Sequence, residues 1–256
     1  MKIKTIGILG SGQLGRMIAI AAAEMGVRAH IFAPDATGSP AAEVAFAATQ
    51  AEYSDETALR AFANTIDAVT SEFENVPAEA MRLLNDYFPA SPGAEALHIA
   101  QNRLREKELA KSLGIETPSY SPIRSEEDLS AALATLSGKA ILKTTELGYD
   151  GKGQIRVSGG DMDAATLWAD LKTDEAILEG FVDFKAEVSF LVWRDSEGQM
   201  GVFPPAQNIH KAGILAKSVA PAPDISAIVI EAGNRAVRAI AEAVDLHGIL
   251  AMEAFV

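Results

Sequence analysis

The chain has 256 residues, 48% of them hydrophobic, which suffices for one large or two modest domains with a proper core. A net charge of −13 with no offsetting basic cluster excludes non-specific nucleic-acid binding, which needs a basic surface. The absence of cysteine excludes disulfides and thiolate metal sites and fits a reducing, cytoplasmic setting. No run approaches the ~18 apolar residues of a membrane span, and the opening MKIKTIGILG runs straight into a strand pattern without a signal peptide.

In chain order, residues 1–9 read as a buried strand and 12–25 as a helix ended by Gly26. Residues 27–32 read as a second strand, 33–42 as a loop, 57–64 as a helix and 68–71 as a third strand. Strands alternating with helices imply a parallel α/β sheet. Residues 95–113 carry helical periodicity; Gly114 then suits the C′ position and Pro118 resets the chain, so a boundary is expected near 114. Beyond it, 140–143, 154–157, 176–182, 187–193 and 249–256 read as strands. Helices are expected at 125–136 and 225–244, the second with Asp224 as N-cap. This half reads as α+β.

The stretch KTTELGYDGKGQ, residues 143–154, carries the strongest chemical signal. A strand delivers Lys143, a loop with Gly148, Gly151 and Gly153 follows, and a second strand resumes at Gln154. Such a loop offers a row of backbone N–H groups to an anion, and the lysine adds a full positive charge. The P-loop instead places its lysine after its glycines and before a helix. Here the order points to a different kind of phosphate flap over ATP. Within it, Tyr149 suits either packing or donation to phosphate, and Asp150 could orient an amine or accept its proton.

Gly10-Ser11-Gly12-Gln13-Leu14-Gly15 matches a dinucleotide fingerprint, with Asp35 placed 20 residues after Gly15. The same turn would serve any anion at that helix N-terminus. Glu179 and Glu187, eight positions apart around a hinge, are either edge residues or polar anchors for adenine and ribose. Glu253 stands alone in the apolar run 248–256, where a buried carboxylate must be paired, protonated or metal-bound. His210 is expected on a loop, and the four histidines show no metal-ligand spacing.

Taken together these residues resemble the ATP-grasp superfamily, and within it the N5-carboxyaminoimidazole ribonucleotide synthetases. The likeness also covers Glu72-Phe73-Glu74-Asn75-Val76-Pro77, Arg103-Leu104-Arg105-Glu106-Lys107, Asn208-Ile209-His210 and Met252-Glu253-Ala254-Phe255-Val256. It implies a Rossmann-like pre-ATP-grasp domain at 1–113, a lid subdomain at 114–183 and the start of a C-terminal ATP-grasp subdomain at 184–256. It implies ATP contacts from Arg103, Lys143, Gly148, Tyr149, Asp150, Gly151, Lys152, Gly153 and Gln154. Glu179, Gly180, Phe181 and Val182 would line the adenine pocket, Glu187 would hold the ribose, and His210 would lie at the nucleotide site. Glu253 would bind Mg²⁺. Gln13, Leu14 and Glu72 would face 5-aminoimidazole ribonucleotide, with Tyr149 and Asp150 where the two substrates meet.

The implied reaction has bicarbonate attack the γ-phosphorus of ATP to give carboxyphosphate, which or whose CO₂ then carboxylates the exocyclic amine of the ribonucleotide. The resemblance also implies a homodimer. Two departures stand out. Glu146 precedes the flap where the family often has a basic residue or glycine, so it should point away from phosphate. Family members also continue past the strand of Glu253 to a second Mg²⁺ carboxylate, so the chain is expected to be C-terminally incomplete and inactive alone. Alternative readings are a formate-dependent glycinamide ribonucleotide transformylase-like enzyme, an NAD(P)-dependent oxidoreductase resting on Gly10–Gly15 and Asp35, or a non-catalytic nucleotide-binding remnant.

Overall fold

A computed structural model describes residues 3–136, 138–148, 153–158, 163–211 and 214–256. The chain divides into two compact units, the first comprising residues 1–100, 193–201 and 241–250, the second the remainder.

The first unit runs β1 (Thr5–Leu9), α1 (Gln13–Glu24), β2 (Arg28–Ala33), β3 (Ala47–Gln50), α2 (Glu56–Ala63), β4 (Ala68–Ser71), α3 (Ala78–Leu84), β5 (Ala90–Ser91) and α4 (Ala94–Ala100). Its sheet is ordered β3-β2-β1-β4-β5 and every adjacent pair is parallel. Adjacent residues of β1 point to opposite faces: Leu9 packs with Phe32, Phe62, Met81 and Leu84, and Ile8 with Ala19, Ile31 and Ala33. Both faces are therefore buried, as a helix-covered parallel sheet requires. Each such fully buried Leu, Ile or Phe contributes about 1.5–3 kcal/mol. The strand order reverses between β1 and β4, so the turns leaving these two strands meet at the switch point where α/β sheets bind ligands.

The second unit opens with α5 (Arg103–Ser112), β6 (Tyr120–Ile123), α6 (Glu126–Thr135), β7 (Lys139–Thr144), β8 (Gln154–Ser158), α7 (Ala164–Leu171) and β9 (Ala176–Gly180). Its antiparallel sheet is ordered β6-β9-β7-β8. Ile123, Leu129, Leu142, Leu167 and Leu178 bury one face of it under α6 and α7. Then follow β10 (Glu187–Arg194), β11 (Met200–Val202), β12 (Ala206–Lys211), β13 (Ile214–Val219), α8 (Ala227–Ala243) and β14 (Gly248–Phe255). They form a second sheet, β11-β10-β12-β13, with β14 also paired to β10.

Three sequence expectations change. The single helix at 95–113 is two, α4 and α5, separated at Gln101-Asn102. Asn102 takes an extended conformation and caps α5, its side chain accepting from the N–H groups of Leu104 and Arg105. Asp224 does not cap α8; it lies at φ +57°, and the Ser226 hydroxyl accepts from Val229 N–H instead. Pro122 conceals β6 in the sequence, yet β6 is an edge strand, where a missing N–H is tolerated.

Candidate active site

β7 and β8 pair antiparallel with Lys143 opposite Gln154, so the glycine-rich loop leaves from the lysine, joining two strands. Tyr149, Asp150, Gly151 and Lys152 lie outside the described residues. At the loop's far stem Gly153 has φ +68°, and a Cβ there would stand 2.8 Å from Thr144 Oγ1. Both the left-handed backbone and the close approach require glycine.

The sheet register brings the charged groups together. Ile141 lies opposite Glu179, so Lys143, two residues on, is the diagonal neighbour of Glu179 on the same face. Lys143 Nζ lies 2.5 Å from Glu179 Oε2, and Lys107 Nζ lies 2.8 Å from Oε1. The Glu179 side chain is only 8% exposed. Burial alone would raise its carboxyl; hydrogen bonds from Lys107 and then Lys143 outweigh this and hold it below its ordinary value. Lys107 is the residue the sequence reading left without a role. Its spacing of four from Arg103 placed both on one helical face, which was its only signal.

Arg103 anchors that face. Its backbone N–H donates to Thr145 O at 3.0 Å. Its guanidinium donates to Thr144 O and Gly148 O, each at 3.2 Å. The expected phosphate ligand thus grips the backbone at the flap's near stem. Glu146, the departure noted above, pairs with Arg105 at 2.8 Å and accepts from Asn102 Nδ2 at 3.1 Å, which neutralises it. Glu106 faces solvent on one side, yet desolvation pushes its carboxyl up to about 7 against the pull of Arg103, Lys107 and Lys143.

Past β9, Gly180 N–H donates to Ser119 O and Phe181 N–H to Lys139 O. The Phe181 ring is 49% exposed, with the Lys139 ammonium 6.0 Å from its centroid. Val182 is half-buried. On the second sheet Glu187 lies opposite Asn208, which makes His210 its diagonal neighbour; Glu187 Oε2 and His210 Nδ1 are in direct contact. His210 therefore belongs to strand β12, a correction to the loop placement. Asn208 is buried, donates to Ser189 Oγ at 2.6 Å and accepts from Ser218 Oγ at 2.8 Å, which fixes the strands beneath this pair.

Glu253 requires a second correction. It lies on β14, whose residues alternate between half-buried and exposed, and Glu253 is on the exposed side. The premise of a buried carboxylate fails there. Among the described residues no group of three or more His, Cys, Asp or Glu side chains could hold a metal ion.

In the first unit, Gly10 follows β1 at φ +116° and Glu72 follows β4. Glu72 Oε1 accepts from Gly12 N–H at 2.9 Å and Oε2 from Gly15 N–H at 2.6 Å. A Cβ on Gly10 or Gly15 would overlap the Glu72 side chain. The glycines admit this internal carboxylate, which takes the place of a pyrophosphate at the N-terminus of α1. Asp35, though exposed, is engaged within the chain and accepts from Ser11 Oγ at 2.6 Å. The dinucleotide reading loses its anion site. Gln13 and Leu14 are exposed on the first turn of α1.

Comparison with known proteins places both units. The ribonucleotide synthetase preATP-grasp domain matches residues 3–101 and the ATP-grasp domain matches residues 108–256. N5-carboxyaminoimidazole ribonucleotide synthase from Brucella melitensis is 45% identical over 253 residues, covering 98% of this chain and 69% of that protein. The chain belongs to the N5-carboxyaminoimidazole ribonucleotide synthase family. The family's solved structures agree in fold. The Staphylococcus aureus synthetase complexed with ADP superposes with a TM-score of 0.89 at 34% identity, covering 99% of this chain and 66% of that one. The Thermus thermophilus synthetase gives 0.87 at 40% identity, covering 98% and 67%. The chain thus spans about two thirds of the length of these synthases. No helix among the described residues is long and apolar enough to cross a membrane.

Proposed function

We propose that this chain carries the nucleotide-binding and ribonucleotide-facing parts of an enzyme of purine biosynthesis. The reaction is carboxylation of 5-aminoimidazole ribonucleotide by ATP and bicarbonate to N5-carboxyaminoimidazole ribonucleotide, with release of ADP and phosphate. The observation that carries this reading is the Lys143–Glu179–Lys107 cluster at the stem of a glycine-rich hairpin in a chain of this family. Arg103 and Lys143 serve the phosphates, with Gly148 to Gln154 as further residues assigned to ATP. Glu179 to Val182 line the adenine pocket, with Glu187 and His210 on the ribose side.

Phosphoryl transfer of this type depends on positioning and charge neutralisation more than on covalent chemistry. Lys143 and the loop N–H groups supply both to bicarbonate attack on the γ-phosphorus. Carboxyphosphate hydrolyses readily, so a loop that excludes water protects it. Tyr149 and Asp150 orient the exocyclic amine and take its proton. Gln13, Leu14 and Glu72 face the ribonucleotide; each Glu72 oxygen spends one lone pair on the turn and keeps another for a ribose hydroxyl. Mg²⁺ fits as far as one exposed hard ligand, Glu253, since ATP sites commonly combine one or two carboxylates with substrate phosphates. When bound, the ion neutralises charge on the β- and γ-phosphates. The working form is a cytoplasmic homodimer, a reading that the absence of cysteine suits for compartment and that sedimentation would test for assembly.

Thermal unfolding of this chain with Mg²⁺ and ATP, or with NADH, tests the reading. A ligand at 100 times its Kd stabilises by about 2.7 kcal/mol. ATP is expected to raise the midpoint and NADH to leave it unchanged; protection by NADH alone would reverse the assignment.

A further inference from the structure

Lys107 has no place in the roles given above, yet it is one of the best-held cations of the second unit. Its side chain is 18% exposed, against 22% for Lys143. An ordinary surface ion pair contributes little, because both partners remain hydrated and mobile. This one differs, because its acceptor is buried and its helix is fixed. Asn102 caps α5, and Arg103, one turn before Lys107, is tied to Thr144, Thr145 and Gly148 by three hydrogen bonds. Lys107 therefore presents its ammonium to Glu179 from a fixed turn.

Charge balance gives the consequence. With Lys143 alone, Glu179 would form a neutral pair, and a triphosphate would have to strip the lysine from a buried carboxylate. An unpaired buried carboxylate is strongly unfavourable. With Lys107 on its other oxygen, Glu179 stays ionised and oriented while Lys143 turns to phosphate. The two lysines and the carboxylate also keep a net positive charge where the phosphates arrive. At the adenine pocket as read above, an ionised, fixed Glu179 would accept from the adenine amine and repel the carbonyl that guanine carries at that position.

We infer that Lys107 is a positioning residue: it holds Glu179 in place so that Lys143 is available to the nucleotide, and it thereby sets both ATP affinity and the preference for adenine over guanine. This rests on the nucleotide-site reading above.

The test is equilibrium binding of fluorescent ATP and GTP analogues to the chain and to Lys107→Met, Lys107→Gln and Lys107→Arg. The neutral variants are expected to bind ATP at least 10-fold more weakly, a change of about 1.4 kcal/mol, and to lose much of the ATP-over-GTP ratio. Lys107→Arg is expected to restore both within about threefold, half a decade on the same scale. The Gln variant, polar and similar in reach, serves alongside Met should packing around the buried stem matter. Loss of affinity with an unchanged ATP-to-GTP ratio means a merely structural role and overturns the inference, as does full binding by the neutral variants. Failure of the unmodified chain to bind ATP overturns the nucleotide-site reading itself and the inference with it.

Discussion

Glu72 occupies, within the chain, the position an external anion would take. Its two oxygens satisfy N–H groups at Gly12 and Gly15, 60 and 57 residues earlier in sequence. An unsatisfied buried donor costs about 1–3 kcal/mol. Glu72→Gln puts an amide NH₂ against one of these donors, so a loss of about that size is expected in urea unfolding. Gly15→Ala should cost comparably, since its Cβ would overlap Glu72 and stand 3.2 Å from the Ala41 Cβ. If both variants unfold like the parent, Glu72 does not organise the turn. The sequence made the glycine turn legible as an anion site, but not that the anion came from the next strand of the sheet. The same blindness hid the Lys143–Glu179 and Glu187–His210 pairs, which are diagonals of strand registers, and the exposure of Glu253. An all-apolar run with one acid has no visible alternation; pairing of β14 with β10 decides which side faces out.

Among elements, those with their own local signals were legible. β1, α1, β2 and β4 announced themselves by apolar runs, and α2 and α6 by their periodicity; Asp55 and Ser125 cap the latter two. β12 and β13, AQNIHK and ILAKSV, were not, because polar or exposed strands draw their stability from the ladder they join. The break between α4 and α5 carries the most function per residue. Asn102 caps α5 and also donates to Glu146 at 3.1 Å and Glu175 at 3.4 Å, joining the helix start to the flap stem. Asn102→Ala should cost about 1–2 kcal/mol as a lost cap. Because Arg103 and Lys107 lie on the first turns of this helix, ATP affinity should fall as well. Asn102→Asp would keep the cap but set a third negative charge beside Glu146 and Glu175, so its stability should lie between those of the parent and the alanine variant. A denaturant series paired with ATP titration reads both effects. Unchanged ATP binding in Asn102→Ala would mean that the flap stem does not depend on the cap.

Over the whole molecule, titratable groups with shifted pKa values set opposing responses to pH. His30 is held between Thr49 and Thr65, each at 2.9 Å, and burial lowers its pKa below 6.5. The unfolded chain then binds this proton more readily, so stability present above pH 6.5 is lost as pH falls through that value. Glu106 acts in the opposite sense. Its folded value of about 7 lies above the ordinary 4.5, so its contribution is full at or below 4.5 and fades as pH rises through 7. Between these values the two offset each other. Below 4.5 the lowered carboxyl of Glu179, and below 3.8 that of Asp67, bound by the N–H groups of Lys4 and Thr5, both lose their contributions. The parent chain should therefore lose less of its urea midpoint between pH 7 and 5 than a chain without Glu106, and lose it steeply further down. Glu106→Gln removes one side of the balance. Its midpoint should fall more from pH 7 to 5 than the parent's, as the His30 effect stands alone, whereas a variant profile parallel to the parent's would mean that Glu106 never opposed His30.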